Sequence, residues 1–480
     1  IDFWPGPLDS TSCFITPTIS VQYDHLWKIN KQDVINFIAG APATSDMISY
    51  PGNAPDGQRL APFYDADGDG IYNSTNGDYP DFGLNGSPNC CNILHGDQAI
   101  WWVINDVCGP HTASGGSALG IQILCQAYAY NTIDQDINNT TFYQYQIKNC
   151  SSTQYNSVYF GFFIDADLGY YLDDYVGCDV TRGMGYAYNG DSNDDLPNGY
   201  GLNPPAIGID FLHGPRADAA DGIDNNRNCV IDESGEDIIM SKFVYYNNDF
   251  TVTGNPVVAF DYYNYLKGLW KDGTLMTYGG SGHLSGGPSC SFMFPGSSDH
   301  QYEWGTGGNC NTPAPAQPDW TEANAGNAPA DRRFLMSAGP FTMPPGAVMD
   351  CITMAAIWAR DMADPGPYYS LAALQTADDK VQMFFDSCYN VNILGIKQEV
   401  MIHASVFPNP TNDLLEVNFG QNISDGKFIL YDIFGKAIKE VAVKNKTTIN
   451  VSCKEFAAGI YVYKIILTDG KTGSGKVVIK

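Results

Sequence analysis

Two stretches of the chain place oxygen ligands at short, regular spacing. The first is Asp65-Ala66-Asp67-Gly68-Asp69-Gly70-Ile71, with carboxylates at its first, third and fifth positions and glycine at the sixth. Calcium takes about six to eight hard oxygens at short range, and this spacing wraps three carboxylates round one ion while the glycine permits the sharp turn. The backbone carbonyl of Ile71 is the next ligand in such a loop. Asn76 stands where a helix-flanked calcium loop has its bidentate glutamate, so closure falls to Asn73, Asn76, Asp78 or water. A solvated acidic turn is the plainer alternative. The second stretch is Asp165, Asp167, Asp173, Asp174 and Asp179, which follow an apolar run. Paired carboxylates at a strand end can flank a glycosidic bond as acid and base or nucleophile. So dense a group repels itself unless a cation neutralises it, which favours calcium over catalysis here.

A third candidate is Asp221-Gly222-Ile223-Asp224-Asn225-Asn226-Arg227-Asn228-Cys229-Val230-Ile231-Asp232-Glu233. It resembles the D-G-I-D-N-D-x-D-G-x-x-D-E metal-binding repeat of secreted bacterial proteins, and the resemblance implies Asp224, Asn226, Asn228 and Asp232 as ligands. Two aspartates of the repeat are asparagine here and the turn glycine is Cys229. Fewer charges weaken calcium binding, and a disulfide through Cys229 is the competing anchor. The departure at Asn76 likewise makes the first loop resemble short thrombospondin-type or dockerin-like calcium loops.

Signals for nucleophilic or cofactor chemistry are weak. Gly279-Gly280-Ser281-Gly282-His283 is a glycine-rich turn without the G-x-S-x-G spacing. The seven histidines form no H-E-x-x-H, and neither a phosphate loop nor a dinucleotide fingerprint occurs. The formal net charge is -28 over 480 residues. Residues 401–480 carry ten Lys against seven Asp plus Glu, which leaves 15 basic and 46 acidic residues in the rest. So acidic a body repels phosphate backbones and anionic lipid, which disfavours nucleic-acid and membrane-surface roles. No apolar run reaches the roughly eighteen residues of a membrane-spanning helix. The chain opens at Ile1 without a signal peptide, which suggests processing or a further N-terminal portion.

Thirteen cysteines lie scattered without repeated C-x-x-C spacing, a pattern of disulfides in an oxidising compartment rather than of zinc ribbons. Cys453, alone in the tail, is the expected free thiol, with up to six bridges among the other twelve. Adjacent Cys90 and Cys91 should bond to different partners, since a bridge between neighbours is strained.

The elements that would position these groups are mostly strands. Apolar residues alternate over 119–125, 142–147 and 158–164, and an apolar island spans 99–104. Further strands are expected at Ile238–Tyr246, Val257–Tyr263 and Ile352–Arg360. Residues 1–24 read as extended backbone. A short helix follows Asn30 as N-cap, and Leu371, Leu374, Val381, Phe384 and Phe385 mark an amphipathic helix over 370–386. Several strands with one apolar face each imply a sandwich. Many of the thirty tyrosines come in pairs, such as Tyr245-Tyr246 and Tyr262-Tyr263. One member of each pair should face outward, available to stack on sugars or pack on a neighbouring subunit.

The tail runs through Val406-Phe407-Pro408-Asn409-Pro410, Leu430-Tyr431-Asp432-Ile433-Phe434-Gly435-Lys436, Ala458-Gly459-Ile460-Tyr461-Val462-Tyr463-Lys464 and Gly475-Lys476-Val477-Val478-Ile479-Lys480. Those blocks resemble the type A C-terminal sorting domain of the type IX secretion system of Bacteroidetes. The resemblance implies export, the secretion machinery as partner, and a tail that is typically removed on the far side of the outer membrane. Phe3-Trp4-Pro5-Gly6-Pro7-Leu8, the 165–179 block, Gly339-Pro340-Phe341-Thr342 and Ile357-Trp358-Ala359-Arg360 resemble motifs of large secreted proteins of that group whose function is unassigned.

The chain thus reads as mainly β. Residues 1–390 are expected to form a large sandwich-like domain with long disulfide-tied and calcium-binding loops and few short helices, with 270–330 as the place for any subdivision. A linker covers 391–404, and a small β-sandwich covers 405–480. The functional expectation is a secreted or outer-membrane-anchored surface protein, structural or adhesive, with calcium as cofactor and self-assembly into a fibre or coat as one form. A polysaccharide hydrolase or a carbohydrate-binding protein is the alternative.

Overall fold

The computed structural model describes residues 1–85, 91–195, 197–363, 367–389, 404–432, 436–467 and 472–480. Cys90 and nearly all of the 391–404 linker lie outside the described residues. The chain forms two compact units, Ile1–Asn390 and Val391–Lys480.

The first unit is built on ten principal strands: β1 (Gln98–Asn105), β2 (Ile121–Ala129), β3 (Thr140–Asn149), β4 (Tyr155–Asp165), β5 (Asp174–Asp179), β6 (Met184–Asn189), β7 (Ala206–His213), β8 (Lys242–Asn247), β9 (Arg332–Met343) and β10 (Val348–Ala359). An antiparallel sheet runs β1–β2–β3–β10–β7–β6–β5, and the short strands Trp4–Pro5 and Trp27–Asn30 share the outer edge of β1 to make nine strands. A second sheet orders β8–β9–β4. In β1, Ala99, Trp101, Val103 and Asn105 are buried on one face, while Ile100, Trp102 and Ile104 on the other are half-buried, the period-two pattern of a strand whose two faces meet different surroundings.

The two sheets stack on one core, in which Phe162 of β4 meets Phe211 of β7 at a ring separation of 4.9 Å. Helix α3 (Pro367–Asp386) lies against the other face of the large sheet, so the sandwich gains a third layer. Its Leu374, Ala377, Val381 and Phe384 are buried, each large side chain contributing about 1.5–3 kcal/mol. A Cβ on Gly208 of β7 would lie 2.6 Å from Met184 Sδ of β6 and 3.2 Å from Leu374 of the helix, so the helix packs closely on the bare backbone there. With both faces covered, every residue of β5 and β6 is buried.

Several local expectations are corrected. Val257–Tyr263 is not a strand: helix α2 (Ala259–Leu266) occupies it, because the Asp261 carboxylate accepts the N–H groups of Val257 and Val258 and caps the turn. The N-terminal segment is not extended throughout, since Pro17–Gln22 is helical behind the Thr16 cap. Helix α1 (Lys31–Ile38) does begin after Asn30, but no side-chain cap bond forms there. The Asn30 amide turns to Asp33 instead. The strand expected from Ile238 starts at Lys242. Tyr245 and Tyr246 are both buried, as Phe294 covers one and Tyr265 of α2 the other. The irregular stretch 270–320 adds Trp270, Met276, Phe292, Phe294 and Trp320 to the main core.

Disulfides join Cys91 to Cys351 and Cys229 to Cys310, and Cys388 is also bonded. Cys453 is unbonded as expected, but so are Cys13, Cys108, Cys125, Cys150, Cys178 and Cys290. Six bridges therefore do not form. Cys125, Cys178 and Cys290 are buried, where a thiol packs as a small apolar side chain.

The second unit is one sheet of β11 (Ser405–Phe407), β12 (Leu414–Tyr431), β13 (Ala437–Ser452), β14 (Gly459–Leu467) and β15 (Thr472–Ile479), with β12 pairing β11, β13 and β14. A bridge from Ile479 back to Thr411 curls it nearly closed round Leu415, Phe428, Ile465 and Val477.

Candidate metal centre

The Asp65 loop springs from a two-residue ladder in which Phe63 pairs with Pro80 and Tyr64 with Tyr79, and the two tyrosine rings stack at 4.9 Å. Gly68 and Gly70 take the left-handed conformation, with φ of +77° and +80°, which glycine adopts without steric cost. Asp78 is fully buried and clamps both ends of the loop, accepting from the N–H of Ala66 and of Asn73 at 2.8 Å each. Asp65 accepts from Gly68 and Gly70, and Asp69 turns to the N–H of Ile71. One oxygen each of Asp65, Asp67 and Asp78 lies within 4.8 Å of the others, and Asn76 donates to Asp67 at 2.9 Å. The fold thus brings Asp65, Asp67, Asn76 and Asp78 together, while the side chains of Asp69 and Asn73 are spent on neighbouring backbone and hydroxyl groups.

The 224–232 loop is organised differently. Asp224 accepts the N–H groups of Asn228 and Cys229. The amides of Asn226 and Asn228 both donate to Glu233, and Asp232 accepts from Gly222. The Arg227 side chain turns inward to the carbonyls of Val180 and Met240 and lies over the Phe292 ring. Burial pulls its guanidinium down to about 10. With Cys229 tied to Cys310 at the turn, a disulfide and a buried arginine organise this loop; the cysteine was visible in the sequence as a departure from the repeat, whereas Arg227 occupies one of its variable positions.

The five carboxylates of 165–179 separate because β5 is extended. Asp174 and Asp179 are five residues apart on one strand, about 17 Å, and an odd offset puts them on opposite faces. Asp179 faces α3, where it binds Arg182 at 2.7 Å and Gln375 at 3.0 Å. Arg182 in turn bonds Asp379 at 2.8 Å. Asp210 and Asp378 are buried beside them. At the other end, Asp165, Asp167 and Asp331 each bring an oxygen within 4.8 Å of the others, and Arg333 offsets part of that charge through Asp165 at 2.9 Å and Asp331 at 3.0 Å. Burial raises Asp165 above the usual carboxylate range, although Arg333 draws it back.

Asp173 and Asp174 sit between these groups without a cationic partner among the described residues. Burial first, and then the charges of Asp194 and Asp195, push Asp173 up to about 6. Burial, with Asp173, Asp194 and Asp167 adding repulsion, pushes Asp174 up to about 8. Sequence reasoning missed Asp331, Arg333, Asp194 and Asp210. The run Asn189-Gly190-Asp191-Ser192-Asn193-Asp194-Asp195 was a signal for one of them.

Comparison with known proteins bears on address. Residues 405–480 match the family described as the secretion system C-terminal sorting domain. The chain is a cargo of type IX secretion, delivered outside the cell to its surface, and its tail meets that machinery. No helix among the described residues is long and apolar enough to cross a membrane. No curated protein sequence matches the chain. A solved polysaccharide lyase shares 7% identity over 75% of this chain and 34% of its own, at a TM-score of 0.20. This chain spans about a third of that protein, and so low a score carries no argument.

Proposed function

We propose that this secreted chain is a structural or adhesive surface protein, stabilised by calcium and disulfides, whose copies associate into a fibre or coat. The observation that supports association is an uncovered apolar face. Three strands cannot cover nine, and beyond the second sheet the inner face of β1–β3 stays open. A cleft of about 710 Å³ lies there, lined by Ile104, Ile121, Ile123, Tyr145 and Phe341 and bordered by every residue from Tyr155 to Phe162 of β4. β4 pairs with β9 on one side only among the described strands. A strand edge beside an apolar groove accepts a further strand, and a second copy of this chain is the occupant assigned to it. The calcium part of the reading rests on the Asp65, Asp67 and Asp78 triad and on the acidic groups at the start of β5.

Analytical ultracentrifugation and electron microscopy of the full chain in calcium test association. Concentration-dependent oligomers or fibres are expected, and Val158→Glu on the cleft wall should abolish them. Monodisperse monomers at high concentration would sink the associative reading.

A further inference from the structure

Asp174 opens β5, Asn189 closes β6, and the two are directly paired across the ladder. Paired residues of an antiparallel ladder project their side chains to the same face. Asn189 is fully buried and Asp174 is 3% exposed. One oxygen of each, Oδ1, is buried with no hydrogen-bond partner, and the same holds for Oδ1 of Asp173 next in the chain. Their remaining polar atoms are committed. Asp174 Oδ2 accepts from Leu168 at 3.0 Å, Asp173 Oδ2 accepts from Asp195 at 3.2 Å, and the Asn189 amide donates to the Asp191 carbonyl at 3.2 Å. Each side chain therefore ties down a loop with one atom and leaves an acceptor bare in a dry place. A buried acceptor left without a partner forfeits the hydrogen bonds it made to water.

Asp194 frames the same spot. It is fully buried, and its two oxygens accept from Tyr170 at 2.9 Å and Tyr200 at 2.6 Å. A Cβ on Gly169 or Gly199 would come within 1.9 or 2.1 Å of its carboxylate, so both loops close on it only because those positions are glycine. The charged groups facing Asp174 are Asp173, Asp194 and Asp167, all anionic.

We propose that Asp173, Asp174 and Asn189 hold one calcium-sized divalent cation, with Asp194 positioning the loops that enclose it. A mixed carboxylate and amide oxygen set without sulfur or imidazole is the chemistry of a hard cation with flexible coordination, which favours calcium over zinc or magnesium. The ion pins the 167–173 and 190–195 loops to the end of β5 and β6. Asn189 and Asp194 extend the site beyond the acidic run legible in the sequence. This assignment rests on the calcium part of the function proposed above.

Calcium bound per full-length chain, measured by equilibrium dialysis with calcium as the only added metal, tests it. Asp174→Asn keeps the size of the side chain and the acceptor for Leu168 but removes one charged ligand, and it should bind one calcium fewer than the wild type. Tyrosine-sensitised terbium emission displaced by calcium should lose the corresponding component. Asp173→Asn, outside the strand, supplies the same readout if Asp174→Asn does not fold. Unchanged stoichiometry in a folded variant overturns this site but leaves calcium at the Asp65 loop standing. A wild type that binds no calcium overturns both.

Discussion

Replacement of Glu322 should separate a structural charge pair from the candidate cation centre it supports. Glu322 is fully buried and ion-paired with Arg332, whose side chain is 9% exposed. Its second oxygen accepts the N–H of Val176 in the middle of β5 at 2.9 Å. The same segment returns to β5 when Ala330 donates to the Asp174 carbonyl at 3.1 Å and the Asn327 carbonyl accepts from Tyr175 at 2.8 Å. Glu322→Ala leaves the Arg332 guanidinium buried with only the Asn247 side chain and the Ala328 carbonyl. Removing one partner of a buried pair costs about 3–5 kcal/mol. Over the 390 residues of the first unit, an unfolding entropy of about 2.1 cal/mol/K per residue gives about 0.8 kcal/mol per degree. The melting temperature should therefore fall by about 4–6 °C. Hydrogen exchange should show lost protection at the Val176 amide. Glu322→Leu combined with Arg332→Met removes both charges and should lie much nearer the wild type. A single variant melting within about 1 °C of wild type, or a double variant as damaged as the single, would refute the coupling.

Excess chelator should lower the melting temperature of the wild type, since an ion bound only by the folded state adds about 2.7 kcal/mol at a hundred times its Kd. Asp67→Asn should remove part of that response, and a chelator-insensitive melt would count against folding-linked calcium. Cys229→Ser with Cys310→Ser opens a loop of 81 residues, for which chain entropy alone implies a loss of about 4–5 kcal/mol in denaturant titration. A loss below about 1 kcal/mol would show that the unfolded loop is already restrained. Burial raises both Asp210 and Asp378 well above the ordinary carboxylate range, each worsened by the other charges around Arg182. The folded state therefore holds these protons more tightly than the unfolded chain. Their contribution is fully present below the unfolded carboxylate range and is lost as pH rises from there toward neutrality. Asp210→Asn should flatten that decline in melts taken over roughly pH 4 to 8, and an unchanged slope would sink the assignment.

Period-two alternation located β2, β3 and β4 because each keeps one face on the core and one toward solvent or an open cleft, and β1 was legible as an apolar island. β5 and β6 escaped because they are buried on both faces, so their tyrosines, glycines and valines carry no alternation. The strand expected at Val257–Tyr263 failed for a local reason: Asp261 captures two backbone N–H groups, and two hydrogen bonds outweigh a β-propensity worth at most about 1 kcal/mol. Cysteine count overstated the disulfides, since composition cannot tell a thiol packed in the core from one at a bridge.

By itself the sequence determined the export tail, the β-rich class, the acidic body and the oxygen-rich loops, because each follows from residue type at short range. Tertiary structure decided which oxygens meet. The spacing of Asp65, Asp67 and Asp78 survives folding because a hairpin base closes the loop within fourteen residues. Asp165 to Asp179, equally dense on paper, is pulled apart by an extended strand into three environments. There Arg333 and the bare amide oxygen of Asn189 arrive from elsewhere in the chain, while Asp179 takes Arg182 from the turn that follows it. Ligand sets depend on distance through space, and a strand that advances about 3.3 Å per residue while alternating its faces converts neighbours in sequence into strangers in the fold.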